Sequence, residues 1–236
     1  MKYAVIAAGD GSRLLKEGIS TPKPLIEVNG ERLVDRLLRI FEAQGASEVA
    51  VICNSRMPEV SAHLATLKQT ASVPMRIVVK STPSSMHSMW ELSRWLDDGP
   101  FVLTTVDTVF RESEFSRFVS RFQDALEHSE ADGLMGVTDY IDDEKPLYIE
   151  TDEAGWITAF LDQSDRPQYV SGGIYALTPR SLTTLNKCVE RGEMRMRNFQ
   201  RALLHDGFRL KAWPFSKILD IDHASDIGKA EAFVLE

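Results

Sequence analysis

Two cysteines in 236 residues are too few for a disulfide framework. Cys53 lies in an apolar strand-like run and Cys188 in a helix-like one, so both read as small buried hydrophobes in a reduced compartment. No apolar run approaches the roughly 20 residues of a membrane span. The first run, 3–8, is also too short for a signal peptide, so no membrane partner is expected and the cytoplasm is the expected location. Positive charge is in deficit: 27 Lys and Arg against 35 Asp and Glu leave a formal net charge of −8. That balance disfavours long nucleic acids, whose phosphates reward clustered cations, but it leaves room for a local cluster around one triphosphate. Internal repeats, low-complexity tracts and Gly/Ser linkers are missing as well, so a single domain over 1–236 is expected, and a chain of this length buries about three quarters of its unfolded surface. None of these features specifies an oligomeric state.

What is present is an alternation of buried strands and amphipathic helices. Residues 3–8 read as a fully buried strand ending at Gly9-Asp10-Gly11, and 49–53, 75–79 and 101–106 as three more. Helices are predicted over 32–44, 58–67, 86–96 and 114–127; the last repeats Phe115, Phe118, Val119, Phe122 and Leu126 at helical spacing, a core face. This rhythm implies an α/β, Rossmann-like, mostly parallel sheet with helices on both faces. From residue 133 the rhythm changes: strand-like runs at 133–138, 147–150, 156–160 and 169–177 follow one another through short turns, which predicts antiparallel additions. The segment 139–145 is dense in charge and reads as a solvated loop or arm. Helices at 179–191, 199–205 and 224–234 and a strand at 208–214 complete the chain. The first half, 1–110, reads as a nucleotide half and 111–236 as the half that shapes an acceptor pocket.

Three features carry chemistry. In Ala7-Ala8-Gly9-Asp10-Gly11-Ser12-Arg13-Leu14, two glycines let the backbone turn tightly and bring its N–H groups against phosphate oxygens, and Arg13 adds a cationic fork. A dinucleotide fingerprint would want glycine where Leu14 stands, and a P-loop would want Gly-Lys-Ser/Thr. In Thr21-Pro22-Lys23-Pro24-Leu25, two prolines stiffen the chain around one lysine suited to a phosphoryl group. Asp107 stands at the end of an apolar strand, where open parallel sheets receive ligands and where a Mg²⁺ carboxylate is expected.

The glycine loop with Arg13, followed by Pro22-Lys23-Pro24-Leu25-Ile26-Glu27-Val28-Asn29-Gly30, resembles the N-terminal signature of the sugar-phosphate nucleotidyltransferase superfamily. The likeness covers about the first 110 residues, and extends to Ser171-Gly172-Gly173-Ile174-Tyr175 and to Asp220-Ile221-Asp222-His223. It implies a GT-A type fold and NTP binding through Ala7, Ala8, Gly9, Gly11, Ser12, Arg13 and Lys23, with Ser85 and Ser88 beside base and ribose. It also implies metal binding by Asp107 with a second carboxylate, Asp222 preferred and Asp220 the alternative. His87 reads as structural or exposed, and Met89, Trp90 and Leu96 as core. Gly173 would lie on the strand beside the acceptor. The superfamily's Glu-Lys pair before that strand is replaced here by Leu161-Asp162-Gln163-Ser164. Asp162 can still accept hydroxyl hydrogen bonds, and Lys211 or Lys217 are candidates to supply the missing charge.

The expected reaction is Mg²⁺-dependent transfer of a nucleoside monophosphate from an NTP to a small phosphorylated acceptor, a sugar 1-phosphate first among them, with release of pyrophosphate. Arg13, Lys23, Asp107 and Asp222 form the expected catalytic set. The chain also resembles some choline-phosphate cytidylyltransferases in size and in the Ser-rich segment at 84–88, a resemblance that implies a non-sugar acceptor as an alternative. A GT-A glycosyltransferase would want Asp-x-Asp where Val106-Asp107-Thr108-Val109 offers one carboxylate. A catalytically inactive nucleotide sensor would explain the missing Glu-Lys pair.

Overall fold

The computed structural model describes residues 1–142 and 144–235; of the charged arm at 139–145, Asp143 therefore lies outside the described residues. The first half runs through β1 (Lys2–Ala7), α1 (Ser12–Lys16), a 3-10 turn at Lys23–Leu25, β2 (Glu27–Val28), β3 (Glu31–Arg32), α2 (Leu33–Ala43), β4 (Glu48–Cys53), α3 (Pro58–Thr70), β5 (Met75–Val79), α4 (Ser85–Leu92) and β6 (Phe101–Thr105). The second half continues through β7 (Thr108–Val109), α5 (Glu112–Glu127), β8 (Gly133–Thr138), β9 (Tyr148–Thr151), β10 (Ile157–Leu161), β11 (Tyr169–Leu177), α6 (Arg180–Glu190), α7 (Met196–His205), β12 (Leu210–Pro214), β13 (Leu219–Asp220) and α8 (Ala224–Leu235).

The buried strands have no polar face because both of their faces are covered. Along β1, Tyr3, Val5 and Ala7 enter one core while Ala4 and Ile6 enter the other, as the two-residue side-chain period requires. The first core receives Leu37 and Phe41 of α2, Phe115, Phe118 and Phe122 of α5, and Phe233 of α8. The second receives Met86 and Met89 of α4, Leu185 and Cys188 of α6, and Phe199 and Leu203 of α7. Cys53 and Cys188 are buried free thiols packed in these cores. Trp90 departs from its core expectation: it is exposed at the surface of α4 and donates its indole N–H to Asn186 Oδ1 at 2.9 Å. The indole's polar N–H finds that partner at the surface.

The described residues form a nine-stranded sheet whose parallel part runs β5-β4-β1-β6. Since β4 and β5 extend to one side of β1 and β6 to the other, the winding reverses between β1 and β6. A crevice opens there, outside the strands' carboxyl ends. The sheet continues through β11, antiparallel to β6 on one edge and β8 on the other. The β9–β10 hairpin attaches antiparallel to the start of β11, whereas β12 joins β8 in parallel. Within β11 the register shifts between Ser171 and Ile174, where Gly173 adopts φ +69°. A Cβ on Gly173 would stand 2.8 Å from the Oγ1 atoms of both Thr105 and Thr108, so this bulge lets β11 lie directly against the end of β6.

Candidate active site

A cleft of about 700 Å³ opens at the β1–β6 crevice. Its floor is assembled from segments far apart in sequence. β1 ends in the loop Ala8–Gly11, where Gly11 takes a left-handed conformation (φ 60°, ψ 25°) that L side chains rarely adopt, and this turns the chain into α1. Ser12 N–H donates to Asp10 Oδ1 at 3.2 Å, fixing the turn. α1 presents Arg13, and the proline-flanked 3-10 turn presents Lys23 with Pro24 buried beneath it. A two-stranded ribbon then joins the remote carboxylates: β7 pairs with β13, Thr108 opposite Asp220, and Ile221 N–H donates to the Asp107 carbonyl at 3.1 Å. This ribbon places Asp107, Asp220 and Asp222 around one spot.

Lys23 is the hub. Its Nζ donates to Asp107 Oδ2 and to Asp222 Oδ1, each at 2.8 Å. Arg13 Nη1 donates to the other oxygen of Asp222 at 2.5 Å, and its second terminal nitrogen stands 3.9 Å from Glu144 Oε2. Burial opposes the charge on Lys23, yet Asp107 and Asp222 hold its pKa above the usual lysine range. Loss of solvent likewise works against ionised Asp107, but Lys23 outweighs it and keeps the carboxyl below its ordinary value. Asp220 differs. The residue keeps surface open to the cleft, while its carboxyl accepts from Thr108 Oγ1 at 3.1 Å on the cleft floor. Lost solvation and then the like charges of Asp107 and Asp222 push its pKa up to about 8. At neutral pH the protonated form of Asp220 is therefore favoured, and the charges of Asp107 and Asp222 are balanced by Lys23 and Arg13.

Most of the residues singled out in sequence line this cleft: Ala7, Ala8, Gly9, Gly11, Ser12, Arg13, Lys23, Ser85, Ser88, Asp107, Gly173, Asp220 and Asp222. Ser88 is buried and paired with Thr82 Oγ1 at 2.6 Å, while His87 is half-buried beside the capping hydroxyl of Ser84. Asp162 is not brought to the cleft. It lies in a neighbouring groove, held by Arg197 and by Arg201 at 2.8 Å. Lys211 and Lys217 also point elsewhere, the first toward Glu130 and the Trp156 ring, the second over the rings of Tyr140 and Phe233. The cations shared between the cleft and this groove are instead Lys145, Arg195 and Arg197. Sequence reading also passed over Asn54, a buried amide donating to the Ala8 carbonyl at 3.1 Å and accepting from Arg56 N–H at 3.0 Å. A polar residue directly after a buried strand was its only signal.

The winding, the glycine turn and the converging charges define a nucleotide-handling α/β protein. The chain belongs to the family of MobA-like NTP transferase domains, whose model matches residues 3–201. Among curated relatives it is 25% identical to a "Bifunctional IPC transferase and DIPP synthase" of Rubrobacter xylanophilus, over 98% of this chain and 51% of that protein. It is 22% identical to the "Low-salt glycan biosynthesis nucleotidyltransferase Agl11" of Haloferax volcanii, over 100% of this chain and 66% of that protein. The chain thus spans about half to two thirds of the length of these relatives. Among solved structures, the inositol-1-phosphate CTP transferase from T. maritima superposes with a TM-score of 0.80 at 17% identity, covering 100% of this chain and 96% of that one. A putative glucose-1-phosphate thymidylyltransferase from Bacillus anthracis gives a TM-score of 0.84, also at 17% identity, over 99% and 95% of the two chains. The fold is theirs.

Proposed function

We propose that this protein transfers a nucleoside monophosphate from an NTP to a phosphorylated polyhydroxy acceptor, a sugar or cyclitol 1-phosphate, and releases pyrophosphate. The observation that carries this reading is the meeting of Arg13, Lys23, Asp107 and Asp222 at one rim of the sheet, beside the glycine loop. The NTP lies along Ala7–Arg13, with base and ribose toward Ser85 and Ser88. An acceptor phosphate oxygen attacks the α-phosphorus in line as the bond to the β-phosphate oxygen breaks. A phosphate dianion is already a nucleophile, so catalysis rests on alignment and charge neutralisation. Lys23 leaves its carboxylate partners for the α-phosphate, and Arg13 leaves Asp222 for the departing pyrophosphate.

Among the described residues no ready cluster of three His, Cys, Asp or Glu ligands is formed. The donor set nonetheless fits Mg²⁺: two carboxylate oxygens already share one cation at 2.8 Å, and a third carboxyl beside them is crowded by their charge. Asp107 and Asp222, with Asp220 adjacent, would hold the ion, which would supply charge neutralisation at the phosphates.

The cleft wall also bears on the acceptor. Among the described residues Tyr175 is the one aromatic lining it, and Lys145, Arg195 and Arg197 stand where it meets the neighbouring groove. A quaternary ammonium would want an aromatic cage there, so a sugar phosphate is favoured over choline phosphate. The test is a pyrophosphate-release screen crossing the four common NTPs with sugar 1-phosphates, inositol 1-phosphate and choline phosphate. Release with a sugar or inositol phosphate is expected. Turnover with choline phosphate alone, sugar transfer from a nucleotide sugar, or nucleotide binding without any turnover would each overturn the proposal.

A further inference from the structure

Beyond the nucleotide end, one stretch of cleft wall is polar, neutral and buried. Gln200, on α7, is 2% exposed yet lines the cleft. Its Nε2 donates to Ser171 Oγ at 3.1 Å, and among the described residues this is its one side-chain hydrogen bond. A glutamine amide carries two donor hydrogens and an acceptor oxygen, so a donor and the oxygen remain for a ligand. Ser171 stands on β11 at the start of the bulge, and the Tyr175 hydroxyl lies beside it, neutral as phenols are near pH 7, with burial pushing its pKa further up, to about 12. Three neutral groups, all lining the cleft, thus form one row along β11 and α7. A core position on α7 would ordinarily be apolar, as its neighbours Met196, Phe199 and Leu203 are. A buried amide held in place with spare hydrogen-bonding capacity is costly unless something in the cleft uses it.

A cation stands just before the same helix. Arg195 lines both the cleft and the neighbouring groove, and among the described residues its guanidinium has no ion-pair partner, whereas Arg197 is engaged by Asp162 and by the Lys145 carbonyl. Its position is suited to an anion entering from the acceptor side.

We propose that Gln200, oriented by Ser171, reads a hydroxyl of the acceptor while Arg195 holds an anionic group of it, so that the segment 195–200 sets acceptor specificity. The inference rests on the function proposed above and names the residues that make it selective. A site built to hydrogen-bond a hydroxyl rejects an analogue lacking it far more strongly than an apolar site rejects a small change in size.

The test uses the full chain with glucose 1-phosphate, inositol 1-phosphate and the deoxy analogues of whichever is turned over. Wild type should prefer the hydroxylated acceptor over one particular deoxy analogue by tenfold or more in kcat/KM. In Gln200→Leu that preference should collapse to within about threefold, with KM for the NTP unchanged. Arg195→Gln should raise acceptor KM about tenfold or more, again without moving NTP KM, and Arg195→Lys should recover part of the loss. Glucose and inositol lacking phosphate serve as binding controls; their weak affinity should be the same in wild type and Arg195→Gln. Retained discrimination in a folded Gln200→Leu protein, or equal losses for NTP and acceptor, would overturn the inference and leave the proposed function standing. Absence of pyrophosphate release from wild type with every acceptor would overturn both.

Discussion

Lys23 shows how a single side chain organises the charges of the site. It sits between Asp107 and Asp222, so replacing it leaves two carboxylates facing each other and, in the proposed reaction, would remove the cation for the α-phosphate. Lys23→Ala should lower kcat/KM on the order of 10²-fold or more, measured by pyrophosphate release on protein whose circular dichroism remains native. Near-normal release would remove Lys23 from the mechanism. Gly173 works through backbone geometry: its φ is +69°, and a Cβ there would meet threonine oxygens at 2.8 Å, so alanine cannot be accommodated without strain. Gly173→Ala should destabilise the fold by roughly 1–3 kcal/mol and lower activity by pushing Thr105 and Thr108 against the Asp107 turn; an unchanged urea midpoint would count against this packing. Much of this was legible in sequence, because glycine, proline, lysine and aspartate in those places each have few reasons to be there. Asp162 was chosen for its place before the acceptor strand and Lys211 and Lys217 for their charge, and each is already matched by a local partner, Arg197 with Arg201, Glu130, or an aromatic ring.

Elements with a long period, such as α2, α5 and β1, were readable because their apolar spacing extends over several turns or alternations. α1 spans only five residues with one buried side chain, Leu14, and β7 and β13 two residues each, too short for any period to register. Yet it is the β7–β13 ribbon that joins Asp107 to Asp220 and Asp222. Tertiary pairing, not local propensity, makes such elements. Away from the cleft, Asp206 at the end of α7 ties that helix to α6, accepting from Thr184 Oγ1 at 2.7 Å and from Lys187 Nζ at 3.2 Å. These bonds lower its pKa to about 2. The linkage has a definite sign: a depressed carboxyl stabilises the fold above its unfolded value near 4 and loses that contribution as pH falls toward 2. Asp206→Asn should therefore cost about 1–2 kcal/mol at pH 7, and its deficit relative to wild type should shrink between pH 4 and pH 2.5 in urea titrations. A deficit independent of pH would mean that packing, not charge, accounts for it.

For the molecule as a whole, the sheet continues through both halves of the sequence, with β11 inserted beside β6, so residues of both halves, from Gly9 to Gln200, line one cleft. Local pattern announced a change of rhythm after residue 132 but not which strands would pair, and β12 in parallel beside β8 is set by packing across the sheet. A shared cleft has a thermodynamic consequence. Arg13 and Lys23 are neutralised at rest by carboxylates, so in the proposed reaction an NTP alone would have to compete with Asp107 and Asp222 for both cations, whereas Mg²⁺ arriving with it would give those carboxylates a replacement partner. Ligand binding only to the folded state at about 100 times its Kd adds about 2.7 kcal/mol, which for a domain of this size raises Tm by roughly 5–10 °C. That rise is expected with the preferred NTP and Mg²⁺ together, a much smaller one with the same NTP in EDTA, and little with Mg²⁺ alone. Asp107→Asn should abolish the difference between the Mg²⁺ and EDTA arms. Equal shifts in both arms for the wild-type protein would show that the carboxylates serve only to hold Arg13 and Lys23 in place, and the metal would have to be removed from the mechanism.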